Sequence, residues 1–149
     1  MPVNPDLVGR AFPPTAPYVV GREKVREFAR AVFADEAQHT DPDAARALGY
    51  PDVVAPATFA IVVAEQTLQQ LIAEPDSGIV LSRTLHAEQR FQYTRPIVAG
   101  DELTAQVSVT GIRTLGGNAM VTSDTEITDA AGAHVVTATS VLLVGQDDA

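Results

Sequence analysis

Behind Pro56 the chain reads Ala57-Thr58-Phe59-Ala60-Ile61-Val62-Val63-Ala64, apolar almost all round, and runs on through Glu65, Gln66, Thr67 and Leu68 to about Ile72. That stretch is too long for one strand of a small domain, since strands rarely exceed about 10 residues. The pattern predicts a buried helix over 57–72. Any fold open to this sequence must wrap that helix, and the wrapping lies downstream. Leu103, Ala105, Val107 and Val109 alternate with Thr104, Gln106, Ser108 and Thr110, which sends one face inward and one to solvent. Weaker alternation covers 85–93 and 119–127, and 134–144 is rich in β-branched residues. Gly116-Gly117-Asn118 and Asp129-Ala130-Ala131-Gly132 read as hairpin turns between consecutive strands. Helices first and hairpin-linked strands afterwards give an α+β class, a helix packed on a curved antiparallel sheet.

Upstream, Asn4 caps a short helix begun by Pro5, Pro13-Pro14 forces extended chain, and 17–20 reads as a short strand. Val25, Phe28, Ala29, Val32 and Phe33 recur at helical spacing, predicting an amphipathic helix over 22–33. Thr40-Asp41-Pro42-Asp43 caps a short helix over 42–48, with Gly49 just past its end. With no repeat or linker composition, 1–149 is expected to form one domain. Cysteine is absent, which excludes a disulfide framework and any thiolate nucleophile. Ten Lys plus Arg against nineteen Asp plus Glu leave a charge of -9, so nucleic acid is not an expected partner. The longest apolar run, 59–64, is far below the roughly 20 residues of a membrane span. Residues 1–6 have neither the basic nor the apolar part of a secretory signal. A cytoplasmic protein is the expectation.

Two segments carry a more specific signal. Tyr50-Pro51-Asp52-Val53-Val54-Ala55-Pro56-Ala57-Thr58-Phe59, followed by Phe91-Gln92-Tyr93-Thr94-Arg95-Pro96-Ile97-Val98-Ala99-Gly100-Asp101-Glu102-Leu103, resembles the MaoC-like dehydratases. The resemblance runs from about Val8 to Val144 and implies a hot-dog fold, a long central helix wrapped by a curved antiparallel sheet. It also implies a homodimer, or a heterodimer with a related hot-dog subunit, in which two sheets join edge to edge and an acyl thioester lies at the seam. The function it implies is an (R)-specific 3-hydroxyacyl-thioester dehydratase or 2-enoyl-thioester hydratase acting on acyl carrier protein or coenzyme A substrates. The alternative is a catalytically silent acyl-binding subunit that pairs with a catalytic hot-dog partner.

The choice between these turns on one motif. Catalytic members carry Gly-Asp-x-Asn-Pro-x-His after the first amphipathic helix, and the gap-free match here is Phe33-Ala34-Asp35-Glu36-Ala37-Gln38-His39. His39 falls on the catalytic histidine, Ala34 on the catalytic aspartate, and Glu36 on the asparagine. The candidate catalytic set is therefore His39 with Asp35 or Glu36; a loop histidine and two surface acids are the competing reading. Ala57, Thr58 and Phe59, at the start of the buried helix, and His86, in the strand that resembles the wall of the acyl tunnel, are the candidate substrate-binding residues. Pro56 has no N–H, so Ala57 or Thr58 would have to polarise the thioester carbonyl.

His134, Asp101 and Asp41 read as a surface histidine, a turn residue and a helix cap. The Arg22, Arg26 and Arg30 stripe reads as a solvated face, with Glu23 paired to Arg26 and Glu27 to Arg30. A hot-dog thioesterase would want a carboxylate near the buried helix, where Asp52 is the candidate. Dinucleotide, phosphate-loop and nucleophile-elbow motifs are absent, the three histidines lack metal-ligand spacing, and no cofactor is expected.

Overall fold

The protein is described here from a computed structural model covering residues 1–146. Its central element is α3 (Ala60–Ala73), entered through a 3-10 turn at Ala57–Phe59. Ala60, Val63, Ala64, Thr67 and Leu71 are buried along one stripe of α3, which packs on three strands of the sheet. Glu65, Gln66 and Gln69 face out, while Ile61 and Val62 are half-buried. Within one chain the expected all-round burial is thus one-sided, and the half-covered face carries two large β-branched side chains.

The sheet has five strands, β1 (Tyr18–Val19), β2 (Thr84–Tyr93), β3 (Glu102–Leu115), β4 (Asn118–Thr128) and β5 (His134–Gly145), in the order β1-β3-β4-β5-β2. All pairings between strands are antiparallel. The β3–β4 and β4–β5 hairpins use the turns expected from the sequence, with Gly116, Gly117 and Gly132 at positive φ. β3 outruns the alternation at 103–110 because Thr110 sits in a bulge, after which Gly111 to Leu115 pair on with β4. Residues 8–19 cover the outer edge of β3 through bridges from Val8 and Ala11 and the short β1. β2 pairs only with β5, and its other edge has no strand beside it among the described residues. Among the described residues no helix is long and apolar enough to cross a membrane.

α1 (Arg22–Ala31) buries Val25 and Ala29, and α2 (Pro42–Ala47) is capped by the Asp41 carboxylate on the Asp43 amide. Both stop short of the sequence expectation, α1 at Ala31 rather than Phe33 and α2 at Ala47 rather than Leu48. The end of α1 is a Schellman turn: the Ala34 amide donates to Ala29 O (2.9 Å) and the Phe33 amide to Arg30 O (3.3 Å). Phe33 occupies its left-handed position at φ 58, where glycine is usual, and is 85% exposed. The apolar spacing at Val32 and Phe33 therefore continues past the helix without burial to match.

Two apolar clusters fill the interior. One gathers Phe59, Val63, Ile97, Leu103, Ile127 and Val136; the other gathers Leu7, Leu71, Val107, Val121, Leu142 and Val144. Each large side chain buried in them contributes about 1.5–3 kcal/mol. α3 contributes to both, and Thr67 lies on its buried stripe between the two contributions.

Candidate active site

The Schellman turn directs residues 34–36 off the end of α1 and into a 3-10 turn at Ala37–His39. Two hydrogen bonds tie that turn to the loop ahead of α3. The Val54 amide donates to Gln38 O (2.9 Å), and His39 Nδ1 lies 2.6 Å from Val54 O. A carbonyl can only accept, so Nδ1 carries the proton and Nε2 is left with its lone pair in the neutral ring. The His39 side chain is only 12% exposed, which removes the reading of a solvent-facing loop histidine.

The acids sit differently. Glu36 Oε2 lies 3.7 Å from His39 Nε2 on a side chain that is 66% exposed. Asp35 is exposed and has no hydrogen-bond or ion-pair partner among the described residues. At the motif's aspartate position stands the half-buried methyl group of Ala34. Asp52 is taken by Arg22 through two hydrogen bonds, Nε to Oδ1 (2.8 Å) and Nη2 to Oδ2 (2.9 Å). The Arg22 guanidinium, with help from the Val53 amide, holds the Asp52 carboxyl down at about 2, which makes it a poor base.

The same loop places the start of α3. The Ala55 amide donates to Ile97 O and the Ala99 amide to Val53 O, so 53–55 runs as a rung against 97–99. Phe59 is wholly buried, edge-on to Phe28 with ring centroids 5.3 Å apart, and so anchors the turn from beneath. Ala57 and Thr58 remain exposed. Their amides stand at the positive end of the helix without intrahelical acceptors, a position that can hold a negatively charged oxygen. The Tyr93 hydroxyl donates to Ala57 O (2.5 Å), and burial pushes that phenol up to about 12.

Two apolar depressions flank this helix start. One, of about 310 Å³, is lined by Val54, Ala57, Tyr93, Arg95 and Pro96 among others. The second, of about 330 Å³, is lined by Thr58, Ile61, His86, Gln89 and Phe91. Ala57 thus belongs to one and Thr58 and His86 to the other. His39 lines neither, but its bonding partner Val54 lines the first. Arg95 is the residue that sequence reasoning passed over. Its guanidinium is held by Asp101 (2.9 and 3.1 Å) and Asp129 (3.3 Å), and Asp101 also accepts from the Val98 amide. The signal was present in the Arg95-Pro96 and Gly100-Asp101 pairs, read there as fold markers.

The remaining candidates have structural partners. His134 is half-buried rather than simply exposed, bonded to the Thr94 and Thr137 hydroxyls and 3.3 Å from Glu126. In the arginine stripe Glu23 does pair with Arg26, but Glu27 meets Lys24 at 3.8 Å rather than Arg30.

The family model described as FAS1-like, dehydratase domain region, matches residues 6–138. The chain belongs to this FAS1-like dehydratase-region family. As such it is 63% identical over 149 residues, the full length of both chains, to a UPF0336 protein of Clavibacter michiganensis. Among solved structures, this FAS1-like dehydratase-region chain is similar to the C-terminally truncated HadBC (3R-hydroxyacyl-ACP dehydratase) complex of Mycobacterium tuberculosis. There the TM-score is 0.79 and the identity 33%, covering 89% of this chain and 92% of that one. It is similar also to a longer MaoC-like dehydratase, with TM-score 0.80 and 38% identity over 95% of this chain and 43% of that one. The fold is the hot-dog fold, as the sequence resemblance implied.

Proposed function

We propose that this chain is the acyl-binding half of an (R)-specific 3-hydroxyacyl-thioester dehydratase. In this reading it pairs with a related hot-dog chain that carries the complete aspartate and histidine motif. The acyl group rides on acyl carrier protein or coenzyme A, and the reaction also runs in reverse as 2-enoyl-thioester hydration. The observation that carries the reading is at His39. The ring is mostly covered, oriented and left with a lone pair at Nε2, yet the motif's aspartate position holds Ala34, and Asp35 points to no partner.

Dehydration removes a proton at the α-carbon and delivers one to the 3-hydroxyl, which leaves as water. One imidazole serves one end of that exchange, and a positioned acid or base contributes about 10²–10⁴-fold. Other features support the reading. The amides of Ala57 and Thr58 stand ready to polarise a thioester carbonyl, and the Thr58–His86 depression offers apolar wall for the chain. The unpaired edge of β2 and the half-covered Ile61 and Val62 give a second hot-dog chain something to cover, and the similarity to a 3R-hydroxyacyl-ACP dehydratase complex agrees with such a pairing.

One observation favours a second reading, in which the protein acts as a homodimer with His39 as base and Glu36 or Asp35 as acid. It is the 3.7 Å approach of Glu36 to His39 Nε2. Enoyl-thioester absorbance followed with the purified chain, alone and mixed with a motif-bearing hot-dog chain, separates the two. The proposal expects turnover only in the mixture, together with a mixed dimer on sizing. Full turnover by this chain alone contradicts it.

A further inference from the structure

The buried faces of a hot-dog sheet and helix have every reason to be apolar, and most of this one is. The exception is a continuous row of hydroxyls. Along β4 the inward residues are Ala119, Val121, Ser123, Thr125 and Ile127, so two polar side chains interrupt an apolar series. Ser123 pairs in register with Ser140 of β5, and Ser140 with Gln89 of β2, which carries the row to the open edge of the sheet. Thr67 meets it from α3, its hydroxyl 3.1 Å from that of Thr125. Thr67, Ser123 and Thr125 are each at most 4% exposed. A cavity of about 20 Å³, enough for one water-sized group, lies between helix and sheet. All four hydroxyl residues line it, together with Ile61 and His86, which also line the larger apolar depression beside Thr58.

Each hydroxyl has one proton to give, and following those protons shows what is left over. Thr67 gives its proton to Ala64 O (2.6 Å), so the Thr125 proton is the one that lies between the two threonines. Ser140 gives its own to Gln89 Oε1 (2.5 Å), which also accepts from His86 Nε2 (3.0 Å). The Ser123 hydroxyl bonds to no other described residue and is open to the cavity. The cavity therefore presents one unused donor, on Ser123, beside unused lone pairs on Ser123, Thr125 and Ser140. A group that both donates and accepts satisfies that set. A carboxylate only accepts and would meet Glu65 in the same wall, and an alkyl end would leave the Ser123 donor buried and unpaired.

From these positions we infer that Ser123, with Thr67, Thr125 and Ser140, forms a polar subsite for a hydroxyl carried far along the acyl chain. The inference rests on the acyl-binding reading above and adds the class of acyl group: one with a second oxygen distant from the thioester. Thr58, beside the thioester end, and Thr67 are separated along the helix by about 13 Å. That distance sets the hydroxyl well down the chain, clear of the 3-hydroxyl lost in dehydration.

Isothermal titration of the full-length chain, alone and with the motif-bearing chain, against decanoyl-coenzyme A and ω-hydroxydecanoyl-coenzyme A tests this. The hydroxylated thioester is expected to bind about tenfold more tightly, the usual worth of one well-made buried hydrogen bond. Ser123→Ala, and separately Ser140→Ala, are expected to bring the ratio of the two affinities to about one. A ratio reads specificity and is insensitive to a general loss of stability. Equal binding by the wild-type chain would overturn the subsite while leaving the acyl-binding reading intact. Binding of neither thioester in either setting would overturn both.

Discussion

His39 Nδ1 lies 2.6 Å from the carbonyl oxygen of Val54, and that contact joins the two parts of the site. Val54 stands two residues ahead of Pro56 and the helix start, so this hydrogen bond fixes the imidazole tautomer and, with the Val54 amide bond to Gln38 O, ties the ring to the loop that leads to Ala57 and Thr58. The residue that should complete the arrangement is Ala34. On the proposed reading, the chain holds an oriented histidine without a carboxylate partner.

Ala34→Asp supplies that group. The variant, assayed alone for hydration of a 2-enoyl thioester, is expected to gain about 10²–10⁴-fold over the unmodified chain. An unchanged rate in a variant with a native circular dichroism spectrum would mean that position 34 does not face the reacting carbon.

Phe33 holds a left-handed backbone conformation with its ring 85% exposed, so it bears the strain of the Schellman turn with little packing in return. Phe33→Gly is expected to stabilise the isolated chain by about 1 kcal/mol. For a domain of this size that raises Tm by about 3 °C, read by thermal melting. A fall in Tm would show that the ring is held by packing.

Asp52 titrates at about 2 in the folded chain against 3.8 for the free group, because Arg22 and the Val53 amide favour its charged form. The depressed value means that its stabilisation is complete above pH 4 and is lost as pH falls through 2. The guanidinium is open to solvent, which screens the pair and keeps its contribution small. Asp52→Asn should flatten the pH dependence of denaturant midpoints across that window and leave the neutral-pH rate of the mixed complex unchanged; a lost rate would give Asp52 a role in the chemistry.

Arg95 ties the strap at 94–101 to the β4–β5 turn through Asp101 and Asp129, and the Ala133 amide, ahead of Arg95 itself, keeps the Asp129 carboxyl below the usual range. Arg95→Met leaves two carboxylates facing each other without a cation. A loss of about 1–3 kcal/mol is expected by urea denaturation, with weaker thioester binding because Arg95 lines the Ala57 depression. Unaltered stability would mean that solvent replaces the guanidinium at no cost.

What the sequence disclosed and what it hid follow from range. The helix behind Pro56 and the alternation at 103–110 were legible because each is a local period tied to burial. The stop of α1 at Ala31 was not, since Val32 and Phe33 continue the apolar spacing and no glycine marks the turn. Arg30 and Glu27 have the right spacing to pair, yet Glu27 meets Lys24. The motif at 33–39 marked His39 and the missing aspartate, but the Val54 contact joins residues 15 apart across a loop and leaves no periodic trace. Ser123 and Thr125 lie within the weak alternation at 119–127, which did not single them out; the register with Ser140 and Gln89 is what makes the polar row continuous.

The central claim is that this chain binds and its partner reacts. In a complex of the chain with a motif-bearing hot-dog chain, the motif histidine is changed to alanine in one subunit at a time and kcat for dehydration is measured. His39→Ala in this chain is expected to lower kcat by less than about tenfold, and the same change in the partner by about 10²–10⁴-fold. The reverse asymmetry, with His39→Ala abolishing turnover, would contradict the account.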